Sequence, residues 1–159
     1  MWRSTLFGMV LCVLGSACSG GPGTSTGTSP AAPSADSTEK ELEKLQGVWI
    51  CVEEEAEGRQ KKNAEDFQNR LTISGKEMTE EIKAIKQTFR GTIELDVSRE
   101  PKRIIFHISQ PIKEQAKKVY EVSGDTLRVA SFVLDQRDFP PEVSGKGENR
   151  QVEIYKRKK

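Results

Sequence analysis

Histidine is almost missing from this chain, with His107 the one imidazole in 159 residues. One His without a second His or Cys at ligand spacing cannot make an ordinary zinc site, so no metal is expected. Cysteine is nearly as scarce: Cys12, Cys18 and Cys51 provide neither a redox pair nor a disulfide framework. The apolar run near the start, Leu6 to Leu14, falls well short of the roughly 20 residues of a membrane span. Neither sign of charge dominates, since 25 Lys and Arg face 24 Asp and Glu. That balance argues against a dedicated nucleic-acid binder, which shows a basic excess. A phosphate-cradling glycine loop and a nucleophile elbow are missing too, and no cofactor is implied.

What is present begins with an address. Arg3 precedes the apolar run, and small residues then lead to a cysteine in Gly15-Ser16-Ala17-Cys18. This reads as an export signal over residues 1–17. Ala17 and Gly15 suit ordinary secretion, which would release a soluble protein with a free Cys18. Ser16-Ala17-Cys18 suits the lipoprotein route, in which the Cys18 thiol takes a diacylglycerol, although Leu14 lies one place earlier than a lipobox wants. Lipidation at Cys18 is the favoured reading, because a Cys at the cut followed by a long small-residue tether is what an anchored domain needs. Each buried acyl CH₂ contributes about 0.8 kcal/mol, so several chains would hold the protein on a membrane of the cell envelope.

From Ser19 to Ser37 no bulky apolar residue occurs, and such a segment cannot bury enough surface to offset its ordering entropy. Residues 18–37 are therefore read as a lipidated Cys and a flexible linker. Loss of Arg3 with the signal leaves 24 basic against 24 acidic residues. The closing Lys156-Arg157-Lys158-Lys159 is read as a solvated terminus rather than a site for anionic lipid or polymer. Cys51 lies inside a strand pattern and is read as a small packed residue. Pairing with Cys18 is the alternative if the latter is not acylated.

Residues 38–159 have the size of one domain. Thr38 and Glu41 have capping-box spacing, Leu42 and Leu45 share a face, and Gly47 ends the turn, which predicts a short lid helix. Strands are predicted over Gly47 to Glu53, Leu71 to Ile73, Thr88 to Glu94, Lys102 to Ser109, Val119 to Ser123, Thr126 to Val133 and Gln151 to Lys156. Glu77 to Ile82 reads as strand or helix, and Gly58 to Asn69 as polar connection with one helical turn over 64–67. The alternation in β-type periods puts Phe89, Gly91, Ile93 and Leu95 on one face. Short strands at regular spacing with turns between them predict an all-β, antiparallel up-and-down barrel of about eight strands with a short N-terminal helix.

Leu45-Gln46-Gly47-Val48-Trp49, the turn Asp96-Val97-Ser98-Arg99-Glu100-Pro101-Lys102 and Val119-Tyr120-Glu121-Val122-Ser123-Gly124-Asp125-Thr126-Leu127, in that order, carry a resemblance. The domain resembles an uncharacterised lipocalin-like family of planctomycete exported proteins. The resemblance implies a barrel whose first-strand Trp packs across the closed end, and it implies no activity. The chain departs from the family pattern at Arg137-Asp138-Phe139-Pro140, next to one barrel mouth.

Candidate sites are few. No catalytic set can be assembled: His107 has Ser109 on its own strand face, yet base and nucleophile normally converge from separate segments. Glu53, Glu54, Glu55 and Glu57 lack calcium-loop spacing, and neighbours along a strand point to opposite faces. An eight-strand barrel is about wide enough to be filled by side chains or to hold one small ligand. Trp49, Phe89, Ile93, Tyr120 and Leu127 are the candidate ligand-binding residues of that interior, with Leu71, Ile73, Leu95, Val122 and Val129 beside them; all of these can equally be core. Trp49 in particular is read as a structural anchor before a ligand platform. The expected function is a noncatalytic, extracytoplasmic, lipid-anchored binding module for a small apolar or amphipathic molecule. The alternative is an envelope protein-interaction domain with a filled barrel, and an enzyme ranks third.

Overall fold

The computed structural model describes residues 35–62, 69–133 and 138–159. The export segment, Cys18, most of the linker, the helical turn expected over 64–67 and Arg137 lie outside the described residues. One helix, α1 (Ala35–Leu45), precedes nine strands: β1 (Gly47–Ala56), β2 (Arg59–Lys62), β3 (Arg70–Ser74), β4 (Glu77–Ile82), β5 (Gln87–Asp96), β6 (Lys102–Gln110), β7 (Glu114–Ser123), β8 (Thr126–Phe132) and β9 (Arg150–Arg157). Every pairing is antiparallel and joins sequence neighbours, save that β1 also pairs with β3 and β9. The β1–β9 pairing closes an eight-stranded barrel, so no strand of the ring is left with an open edge. β2 stands outside this ring, paired with the far half of β1 through Glu53↔Lys62 to Ala56↔Arg59.

Leu42 and Leu45 pack on the barrel core as expected, but α1 starts before Thr38. Thr38 is thus not its N-cap, and Glu41 is not a capping-box acid. Glu41 is instead buried, bonded to Lys102 Nζ at 2.7 Å and to Lys44 Nζ at 2.9 Å. Gly47 ends the helix with φ +110°, a conformation costly to other residues. Glu77–Ile82 is a strand, because its partners β3 and β5 hydrogen-bond it on both sides.

Strand parity puts Trp49, Leu71, Ile73, Met78, Ile93, Phe106, Tyr120, Leu127 and Tyr155 inside the barrel in one continuous core. Two irregularities shape the wall. At Arg90/Gly91 the β5–β6 register shifts, and Gly91 lies so close to β6 that any Cβ would collide with the His107 carbonyl. Between Cys51 and Glu53 the β1–β9 register also shifts, which reverses the inward parity of the rest of β1.

A second, smaller core lies outside the ring. Val119, Ala130 and Val152 on the outer faces of β7, β8 and β9 are covered by Val143 and Phe139 from the segment that leads into β9. The Arg103 guanidinium sits 4.6 Å from the Phe139 ring centre and Lys117 Nζ 5.5 Å. In the stretch Asp138-Phe139-Pro140 the aromatic ring therefore lies on the barrel's flank.

Candidate functional site: an open cup with a charged floor

The barrel interior has two halves. The half beneath α1 is filled. Trp49 is fully buried, its indole Nε1 donating to the Leu45 carbonyl at 2.8 Å, and the Arg157 guanidinium stacks 4.1 Å above its ring. Arg157 also donates to the carbonyls of Gln46 and, at 2.7 Å, Lys44, which lie at the end of α1. One side chain from the last strand thus caps the helix and clamps the Trp. Gln46 ties the same end to the β3–β4 turn by accepting from Gly75 N at 2.7 Å. A void of about 20 Å³ remains between Leu45, Leu71, Met78, Tyr120, Leu127 and Tyr155, room for one water at most. The Tyr120 hydroxyl is buried without a hydrogen-bond partner among the described residues.

Among the described residues, the opposite half is open. The β4–β5 and β6–β7 turns and the chain beyond β8 frame a cup of about 690 Å³. Its walls are apolar along β4 to β7, from Ile82, Ala84, Phe89, Ile108 and Ala116, and polar on β8 and β9, from Ser131 and Gln151. Its lip carries Ile85, Ile112 and Val133, which are 59%, 49% and 45% exposed and are the large exposed hydrophobics among the described residues. Isolated exposed apolar residues are ordinary; these three share one mouth.

The floor is charged. Lys118 of β7 is buried and held by both carboxylate oxygens of Glu80 of β4, at 2.8 and 3.0 Å. Glu153 of β9 accepts from Asn69 Nδ2 at 3.1 Å and is bonded by the Tyr155 hydroxyl. Burial alone would push the Lys118 ammonium down, but the charges of Glu80 and Glu153 outweigh it and hold its pKa above the ordinary range. Burial, with the Glu80 charge next, pushes the Glu153 carboxyl up, against the pull of Lys118, Asn69 and Tyr155. The Tyr155 phenol is pushed up by burial and then by Glu153, and the Cys51 thiol to about 12, again by burial first. Tyr155 and Cys51 are thus neutral at physiological pH, and Cys51 is no nucleophile.

Of the candidate interior residues, Phe89 stands in the cup wall, whereas Trp49, Ile93, Tyr120 and Leu127 belong to the filled half. The sequence does not single out the floor residues, because polar side chains in a strand read as solvent-facing. Parity carried the signal: Lys118 is two residues from Tyr120, Glu153 two from Tyr155, and Glu80 two from Met78, all inward. Glu54 could not be found that way, since the shift at Cys51/Glu53 is what turns it into the cup, opposite Glu153.

His107 lies on the outer face. Its Nε2 is 3.4 Å from Glu94 Oε2 and its Nδ1 is 3.1 Å from Gln115 Nε2, while Ser109 Oγ donates to the Arg90 carbonyl rather than to the imidazole. Among the described residues no group of three or more His, Cys, Asp or Glu is placed to hold a metal ion, and no helix is long and apolar enough to cross a membrane. No protein-family model matches the chain, and no match was found among curated proteins or solved structures.

Proposed function

We propose that this protein is a noncatalytic carrier, anchored to an envelope membrane through a lipidated Cys18, that holds one small amphipathic molecule in the cup. The observation that supports this most is the polarity gradient of the cup: a hydrogen-bonding, charged floor, walls apolar along β4 to β7, and an exposed apolar lip. Such a site orients a ligand with its polar head inward and its apolar body toward the mouth. The volume of about 690 Å³ falls in the range of small-molecule sites. The alternative, a partner protein docking on the mouth, draws on the lip residues Ile85, Ile112 and Val133.

Native mass spectrometry of the protein released gently from its own envelope tests the proposal. A retained small molecule on a chain that starts at an acylated Cys18 is the expected result. A retained protein in place of a small molecule would shift the function to the mouth as an interaction surface, and an unmodified Cys18 would remove the anchor.

A further inference from the structure

Among the described residues that line the cup, the one ammonium, Lys118, is already taken by both oxygens of Glu80. Glu153 and Glu54 face each other directly across the β1–β9 ladder, Lys61 of β2 is in register with Glu54 on the other side of β1, and Glu114 stands at the rim. Like charges paired across strands are unfavourable, and here they lie on the face turned into the cup. A carboxylate offers about four acceptor positions, and Glu153 uses two, on Asn69 and Tyr155.

We propose that the cup selects a cationic amphiphile, an alkyl- or arylalkylammonium whose head sits between Glu153 and Glu54 and whose body lies along Phe89 and Ile108 toward the lip. This rests on the cup being the ligand site. An ammonium there donates charge-assisted hydrogen bonds to the two carboxylates, whereas an anionic head meets carboxylates on β1, β4, β7 and β9. The groups facing Glu153 are Glu80 of β4, Lys118 of β7, Cys51 and Glu54 of β1, and Tyr155 of β9. Only the ionised form of Glu153 attracts the ammonium, so affinity rises with pH as Glu153 ionises, above the ordinary carboxylate range.

The test is isothermal titration calorimetry on the full chain with decylamine and decanoate below their micelle concentrations and decanol below its solubility limit. The expected order is decylamine tightest, by about tenfold over decanol, with decanoate weakest. Between about pH 5 and pH 8 the decylamine affinity should rise, and Glu153→Gln should flatten that rise and remove most of decylamine's advantage over decanol. Glu54→Gln, at a half-exposed position, should give a smaller loss in the same direction and serves if the first variant does not fold. Decanol or decanoate binding as tightly as decylamine would overturn the charge assignment while leaving the cup as a ligand site. Failure of all three would overturn the cup reading itself.

Discussion

Glu153 and Lys118 share one buried layer, yet the consequences of their burial differ. The raised carboxyl of Glu153 means that its contribution to stability is fully present below the ordinary Glu value near 4.5 and is lost as pH rises through its folded value. Glu153→Gln keeps an acceptor for Asn69 and removes that loss. The variant should match the parent near about pH 4 and become the more stable of the two toward about pH 8, which thermal melts across that range would show. A constant offset at every pH would sink the idea. Lys118 is the opposite case, because its ammonium compensates Glu80. Lys118→Met leaves a buried carboxylate without its cation and should cost about 3 to 5 kcal/mol in urea titrations. The paired change Lys118→Met with Glu80→Leu should recover much of that loss, since an apolar pair of similar volume is often neutral or better.

At the scale of elements, the antiparallel strands were legible because their buried faces repeat with period two, most plainly in β5, where Phe89, Ile93 and Leu95 all face inward. β2 was not legible, because Arg59-Gln60-Lys61-Lys62 carries no apolar face, and only the ladder of β1 makes it a strand. The outer core was hidden for a related reason. Val119, Ala130 and Val152 sit at positions that alternation assigns to solvent, and the Phe139 and Val143 that cover them come from a segment without regular structure. The helix start was misplaced because a Thr with a Glu three residues on fits both a capping box and a helix interior. What fixes α1 is tertiary: its leucines, the Arg157 bonds and the Glu41 ion pairs. Arg157→Ala should therefore free the end of α1, unstack Trp49, and lower stability by about 1 to 3 kcal/mol, read as a lower melting temperature together with a shift in Trp emission. Burial would raise the Glu41 carboxyl, but its bonds to Lys102 and Lys44 win and hold its pKa down. Its contribution is present above about 4.5 and lost as pH falls through the lower folded value, so acid should loosen the helix in the wild-type protein.

At the scale of the whole molecule, the described residues form a barrel stoppered at one end and open at the other, and the two ends differ in how they use their polar groups. At the closed end nearly every polar group is spent on holding α1, Trp49 and the β3–β4 turn together. At the open end three large apolar side chains are left in solvent and the charges are sunk beneath them, the reverse of the usual arrangement for a soluble surface. The closed-barrel architecture could be anticipated from strand spacing and turns, but this asymmetry could not, because it depends on which polar residues each strand's parity and the Cys51/Glu53 shift turn inward. If the mouth is the ligand's door, its residues should matter for binding and hardly for folding. Ile85→Ser combined with Ile112→Ser changes exposed positions and should move stability by no more than about 0.5 kcal/mol each. The same pair should weaken decylamine or decanol binding by about fivefold or more, because at roughly 25 cal/mol per Å² even partial loss of the apolar wall around a ten-carbon tail exceeds 1 kcal/mol. Calorimetry and a thermal melt on one preparation separate the two effects. Lost stability with unchanged affinity would make the lip part of the fold and move the binding site elsewhere.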